Sequence, residues 1–374
     1  MNAETSTLIN TVWVMTATVL VLLMQGGFAM LEAGFSRGKN VGAVVSKVLA
    51  NMGISLIIFW AVGFAIAFGQ GNLVIGTSGL FLQEPSLSTF ASLDYSNVPM
   101  PLLGLAAIGA AAGVAAGVAE ACSVVRLDRV VSIAGLPADL DGLRIAHVSD
   151  LHLGAPGVNR AAARRAVALV HAAAPDLVAI TGDLLTHPRG TADLLNLLDG
   201  LEAPLGVYAT LGNHDLGAVR DPFSRAGDVP DLASVGVELL RNRTLTIARG
   251  AASIALTGFD PHRPEDEAHC LPPGVAWPEP SADLQLVLAH YPDVFDAAPA
   301  AATGLVLSGH LHGGQICVPW PTGRLRLSQL GHRYREGLYH RDGLTMHVSR
   351  GVGTTFVPFR FFARPEVTVL RLVG

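Results

Sequence analysis

The sequence predicts an α/β sandwich, two mixed β-sheets packed together and flanked by helices, preceded by an N-terminal transmembrane helical segment. Three observations predict it. From about residue 130, short β-type runs alternate with helical ones and then give way to successive strands. Five of these runs end in a motif built from Asp, Asn or His. Ahead of them lie long apolar stretches, and the 374-residue chain as a whole is 50% hydrophobic and only 15% charged, with mean hydropathy +0.44. That balance is too apolar for an ordinary water-soluble protein and calls for membrane segments. The net charge is −5 and no basic run exists, which argues against nucleic-acid binding.

The first apolar run, 8–30, is nearly uncharged and long enough to span a bilayer. A second, 41–68, has Lys47 near its start, where the side chain can snorkel to headgroups. The third, 102–119, is shorter and rich in Gly and Ala. In it Gly109, Gly113 and Gly117 recur at every fourth position, a spacing that allows close helix contact and hence self-association. Simple Gly/Ala filling of a short anchor explains the same pattern. Arg37 and Lys39 lie in the first loop, Arg126 and Arg129 follow the third run, and loop 69–101 has neither Lys nor Arg. The positive-inside bias then places loop 31–40 and everything after 120 on the cytoplasmic side of an inner membrane, with an extracytoplasmic domain as the alternative. The first run has no basic residue before it and no small-residue cleavage site after it, so it reads as an uncleaved span of a multi-pass protein.

Composition changes abruptly near residue 100. Both lysines and six of the seven methionines lie at or before Met100, and the rest of the chain uses arginine alone as its long cation. Membrane and soluble parts differ in methionine as a matter of course, but that does not remove lysine from a large soluble domain. The break therefore suggests a junction at 98–103. The expected organisation is 1–100, a fragment with two transmembrane helices; 101–129, a third helix and linker; and 130–374, the soluble domain.

Within that domain 143–148 is a β-type run, and 159–174 is Ala-rich, helical and stopped by Pro175. Strands are expected at 176–181 and 206–211, with a helix at 191–201 between them. Further strands are expected at 245–248, 253–257, 284–289, 304–307, 344–348 and 367–372. Ligands of such folds gather at the carboxyl ends of strands. Here those ends carry Asp150-Leu-His152, Gly182-Asp183, Gly212-Asn213-His214-Asp215, Ala289-His290 and Gly309-His310-Leu311-His312. One carboxylate able to bridge, with several neutral nitrogen and oxygen donors, is what two adjacent divalent ions require. Imidazole and carboxylate suit Mn, Fe or Zn. Cys122, Cys270 and Cys317 are far apart and form neither a disulfide framework nor a structural zinc motif.

Each motif alone is a turn or a core histidine as readily as a ligand. Five in this order resemble the calcineurin-like metallophosphoesterase family over roughly 143–373. The membrane-associated bacterial branch is nearer still, through Ser149-Asp150-Leu151-His152-Leu153-Gly154, through Gly309-His310-Leu311-His312-Gly313-Gly314-Gln315-Ile316, and through Ser349-Arg350-Gly351 with Arg364-Pro365-Glu366. The resemblance implies a calcineurin-like sandwich and two divalent metal ions. Asp150, His152 and His312 hold the first ion, Asp183 bridges, and Asn213, His290 and His310 hold the second. It further implies that His214 gives a proton to the leaving oxygen and that Asp215 orients His214. The expected substrate is a phosphodiester or pyrophosphate, lipid-linked or nucleotide-linked, in the envelope.

Residues 1–100 resemble the start of the ammonium transporter family. The likeness lies in Met24-Gln25-Gly26-Gly27-Phe28-Ala29-Met30-Leu31-Glu32-Ala33-Gly34, in Ser36-Arg37-Gly38-Lys39-Asn40-Val41 and in Phe59-Trp60-Ala61-Val62-Gly63-Phe64. That family conducts through a pore with two facing histidines built by later helices, and this chain has no histidine before His147. An anchor is the expected role. The alternative is an ammonium-transporter-derived membrane protein with an appended regulatory phosphoesterase domain. Among the other histidines, His147 is expected to pack in the core, His171 and His187 to lie on the surface, and His262, His269, His332, His340 and His347 to be available to line a substrate cleft. The proline-rich loop 261–280 reads as a solvated excursion, with a substrate lid as the alternative.

Overall fold

The computed structural model describes residues 113–374 apart from 218–220, 222, 226, 263–270, 273, 280–281, 321–322 and 327–331; of the earlier chain it describes only Gly53, Ile57 and Ile58. The expected span 8–30, loop 69–101, Gly109, Cys270 and His269 lie outside the described residues, as do most of 102–119 and, those three residues apart, the span 41–68 and the segment resembling ammonium transporters. Among the described residues no helix is long and apolar enough to cross a membrane. The chain divides into two compact units, 1–116 and 117–374. The second carries everything that follows.

Among the described residues this unit has two six-stranded sheets and a separate two-stranded hairpin. The first sheet runs β1 (Val125–Ser132), β14 (Glu366–Val373), β2 (Arg144–Val148), β3 (Leu177–Thr181), β4 (Val207–Thr210), β5 (Val237–Leu239). From β2 to β5 its strands are parallel, while β14 is antiparallel to β2 and parallel to β1. The second runs β12 (Gly337–Arg341), β13 (Leu344–Val348), β9 (Gly304–Ser308), β8 (Leu284–Ala289), β7 (Ala252–Phe259), β6 (Arg243–Arg249). Its four central strands are parallel and its two edges antiparallel. The hairpin pairs β10 (Cys317–Trp320) with β11 (Gly323–Arg326).

The period-two alternation of strands sorts side chains into layers. Ile145, Leu177, Ala179 and Leu370 turn inward with Leu284, Leu286, Leu288, Leu305 and Leu307 to form the core between the sheets. Their neighbours Ala146, Val148, Val178 and Ile180 face outward, packed with Ala162, Ala166 and Val170 of helix α1 (Asn159–Ala173) and Leu194 and Leu198 of α2 (Thr191–Leu198). On the far side Val287, Ala289, Val306 and Met346 pack with Val294 and Phe295 of α3 (Val294–Ala297). Each fully buried aliphatic side chain contributes about 1.5–3 kcal/mol. Helix α1 ends at Ala174, whose φ of 45° is left-handed, and Pro175 follows, so the chain cannot continue the helix.

Buried strands fall where sequence placed them, and the second sheet's β8 and β13 match to the residue. The half-exposed β6 was expected at 245–248, whereas β1, β5, β10, β11 and β12 were not. Strand β1 starts at Val125, so 125–129 belong to the sheet and not to a linker. Gly117 also departs from expectation. A Cβ there would lie 2.7 Å from the Phe361 ring of the same domain, so this glycine serves an internal contact.

Candidate metal centre

Every motif residue lies just past the carboxyl end of a strand: Asp150 and His152 after β2, Asp183 after β3, Asn213 to Asp215 after β4, His290 after β8, His310 and His312 after β9. The loops bring all of them into one buried cluster. His152 Nε2 and His312 Nε2 are 3.0 Å apart. Asp150 Oδ1 is 3.5 Å from the latter and 4.0 Å from the former. On the other side His290 Nε2 lies 2.9 Å from Asn213 Oδ1 and 3.2 Å from His310 Nδ1.

Asp183 joins the two groups. Its Oδ2 is 3.5 Å from His152 Nε2 and 3.1 Å from His290 Nε2, while Oδ1 accepts the His214 amide at 2.8 Å. Among the described residues three sets of side chains result, each with donor atoms within 4.8 Å of one another: Asp150, His152 and His312; His152, Asp183 and His214; Asp183, His290 and His310. Ligand bonds of about 2.0–2.2 Å put neighbouring donor atoms roughly 3 Å apart, so these separations suit divalent ions. The nitrogen and oxygen donors suit Mn, Fe or Zn alike.

Neighbouring groups aim the rings. Thr186 Oγ1 meets His152 Nδ1 at 2.9 Å, and the Thr181 carbonyl accepts from His290 Nδ1 at 2.9 Å, which in both cases turns Nε2 inward. His312 differs. Its Nδ1 is 3.1 Å from Nη2 of the fully buried Arg360, which also donates to the carbonyls of Gly353, His312 and Ala363. A guanidinium only donates, so Nε2 of a neutral His312 carries its proton here. Ligation through that nitrogen requires the proton to leave.

The backbone at this centre is unusual. Asp150, His152, Asp183, His310 and His312 all have left-handed φ, between 48° and 75°. Gly309 and Gly212 make room for the carboxylates. A Cβ on Gly309 would collide with the Ser149 hydroxyl and Asp150, and one on Gly212 with Asp183.

Burial and mutual charge set the protonation states. Burial, with Asp183 adding to it and His290 opposing, pushes Asp150 up to about 6. Burial works against ionisation of Asp183 as well, but His290 and His214 prevail and hold it well below the usual carboxylate range. For His290 burial is overcome by Asp183 and Asp150, which raise it to about 9. Burial, then His214, holds His152 well below an ordinary imidazole. Burial and Arg360 do the same to His312.

Asp215 is placed differently from the expectation. Its carboxylate accepts the amides of Gly212 at 2.8 Å, Leu185 at 2.8 Å and Leu184 at 3.2 Å. It therefore ties the Gly-Asp loop to the Gly-Asn-His-Asp loop and makes no hydrogen bond to the His214 ring, whose buried Nδ1 has no partner among the described residues. Burial and the charge on Asp183 raise Asp215 to about 7.

His347 also departs from expectation. It does not line a cleft but lies buried between the sheets, its Nδ1 2.8 Å from Nδ1 of His147. His147 Nε2 meets Thr181 Oγ1 at 2.8 Å, one residue before the Gly-Asp motif. Sequence placed His147 in the core but carried no signal for its pairing with His347 or for Arg360. Thr186 could have been found, since it lies three residues past Asp183 in the same loop.

A buried His/Asp/Asn centre with one shared carboxylate, mounted on the strand ends of a double-sheet sandwich, defines a metal-dependent hydrolase. Residues 143–314 match the calcineurin-like phosphoesterase family model. The uncharacterized metallophosphoesterase YkuE of Bacillus subtilis is 31% identical over 249 residues, 63% of this chain and 81% of that protein. The chain belongs to the calcineurin-like metallophosphoesterase family, and it is a metal-dependent phosphoesterase. The UDP-2,3-diacylglucosamine pyrophosphatase LpxG of Chlamydia muridarum is 26% identical over 291 residues, covering 63% of this chain and 84% of that protein. Residues 12–134 match the ammonium transporter family model, past the composition break and across β1. Over 78 residues the chain is 49% identical to ammonium transporter Amt2 of Archaeoglobus fulgidus, 20% of this chain and 16% of that transporter.

Proposed function

We propose that this protein is a membrane-anchored, two-metal phosphoesterase that cleaves phosphodiester or pyrophosphate bonds of a lipid-linked or nucleotide-linked envelope substrate. The observation that carries the two-metal reading is the Asp183 carboxylate oxygen shared between two histidine clusters. Asp150, His152 and His312 would hold one ion and Asn213, His290 and His310 the other, with Asp183 placed between the two groups. Divalent ions held there would supply Lewis-acid chemistry, lowering the pKa of a bound water and neutralising phosphoryl charge. His214, fixed by its amide on Asp183, gives a proton to the leaving oxygen. Asp215 keeps the two loops in register.

The lipid-linked substrate is supported by the likeness to a pyrophosphatase named for a diacylated nucleotide sugar, and the anchor by the apolar runs before residue 120. The test is turnover by the full chain in detergent, stripped of metal and reloaded with Mn, Fe or Zn. Phosphomonoesters, a simple diester and a nucleotide-diphosphate lipid are compared. Hydrolysis confined to monoesters overturns the proposal. A reporter fused after Gly374 tests the cytoplasmic placement. The match to an ammonium transporter favours a second reading, a transporter-derived membrane protein regulated by its phosphoesterase domain. Ammonium uptake by cells expressing the whole chain tests it.

A further inference from the structure

Outside both sheets, the β10–β11 hairpin carries apolar side chains into solvent. Val318 and Leu325 are direct cross-strand partners and so project from one face. They are 40% and 43% exposed. Phe362, 50% exposed, lies beside them: Arg324 Nη1 donates to its carbonyl, and the Cys317 amide donates to the Phe361 carbonyl at 2.8 Å.

The chain enters the domain at this same corner. The helical residues 117–122 are tied to it by hydrogen bonds. The Glu120 carboxylate accepts the amides of Phe362 at 3.0 Å and Ala363 at 2.7 Å, and the Arg360 amide donates to the Gly117 carbonyl at 3.0 Å. Arg364, exposed, donates to the Ser123 carbonyl at 3.3 Å. Gly117 is the first residue of the domain, and the apolar stretch that begins at 102 runs into it. The exposed apolar tip therefore lies beside the point where that stretch joins the domain. Apolar side chains with a guanidinium beside them match the acyl boundary and the anionic headgroups of a bilayer surface.

We propose that Val318, Leu325 and Phe362 seat in a phospholipid surface, with Arg364 at the headgroup phosphates. The inference rests on the anchoring role given above to 102–119. It places the domain's membrane face next to the loop that follows His310 and His312, where a lipid-borne substrate can arrive without leaving the bilayer.

The test uses the full chain in phosphatidylcholine–phosphatidylglycerol vesicles, with Cys122, Cys270 and Cys317 replaced by alanine. One cysteine is introduced, Leu325→Cys, or as a control Val130→Cys at the far end of β1, and labelled with an environment-sensitive fluorophore. Doxyl-labelled phospholipid should quench the label at 325 by about half, as for a group at the headgroup–acyl boundary, and leave the label at 130 unchanged. Water-like emission at 325 without quenching overturns the proposal. So does blue-shifted emission without quenching, which would mean cover by residues 1–112 or by a second copy. The triple variant Val318→Ser, Leu325→Ser, Phe362→Ser should lose several-fold turnover of a vesicle-borne substrate only. Turnover of a soluble diester reports the hydrolase itself, so loss of that activity with quenching intact would overturn the functional reading and not the docking face.

Discussion

Replacing both members of the buried imidazole pair, His147→Met with His347→Leu, should flatten the acid side of the stability curve. In the folded chain burial first, and then Arg129 and Arg350, push His347 from 6.5 down to about 3. Burial and His347 hold His147 well below its ordinary value. A depressed folded value means that the unfolded chain takes up the proton first. Stability is therefore intact above 6.5 and is lost as pH falls from there toward 3. A tenfold difference in proton affinity between the two states is worth about 1.4 kcal/mol, so near pH 5 His347 alone costs the native state about 2 kcal/mol. His147 adds to the loss in the same direction. The assay is urea unfolding of parent and double variant, followed by tryptophan fluorescence at about pH 7.5 and about pH 5, with the parent expected to lose about 2 kcal/mol more. The metal-site groups titrate alike in both proteins and cancel. Equal losses would refute the reasoning that the pair is held neutral between the sheets.

Three further outcomes concern the metal centre. Asp183→Asn should lower bound metal below two ions per chain and cut turnover by orders of magnitude, as read by metal analysis beside kinetics; full metal content with parental rates would remove Asp183 from the bridging role. His214→Ala should retain both ions yet slow poor leaving groups about 100-fold or more, with a much smaller effect on p-nitrophenolate. Equal slowing of the two would show that His214 is not the proton donor. Thr186→Val removes the hydroxyl that holds His152 Nδ1 and should weaken metal affinity about 10-fold to 100-fold by calorimetry, with the fold unchanged.

The clustering of these side chains was legible because each motif residue sits within a few residues of a buried strand end, so local sequence carries both the strand and the residue types. LVAIT before Gly182-Asp183 is fully buried, and its hydrophobic run announces it. Strand β1 announces nothing: Val125–Ser132 is VRLDRVVS, mostly exposed, and owes its place to parallel pairing with β14 at the other end of the chain. The β10–β11 hairpin is likewise half exposed and follows the Gly-rich turn of the last motif. The resemblance assigned Asp215 to the His214 imidazole, but its oxygens accept amides from two loops that only the fold brings together.

The left-handed backbone at Asp150, His152, Asp183, His310 and His312 sets fold against chemistry. Each of these conformations disfavours an L side chain by about 1 kcal/mol relative to glycine. Glycine at any of the five would relax the loop and delete a donor atom. A population of this protein bred only for heat resistance would therefore drift toward glycine at its metal loops first, keeping a sturdier sandwich that has forgotten its reaction.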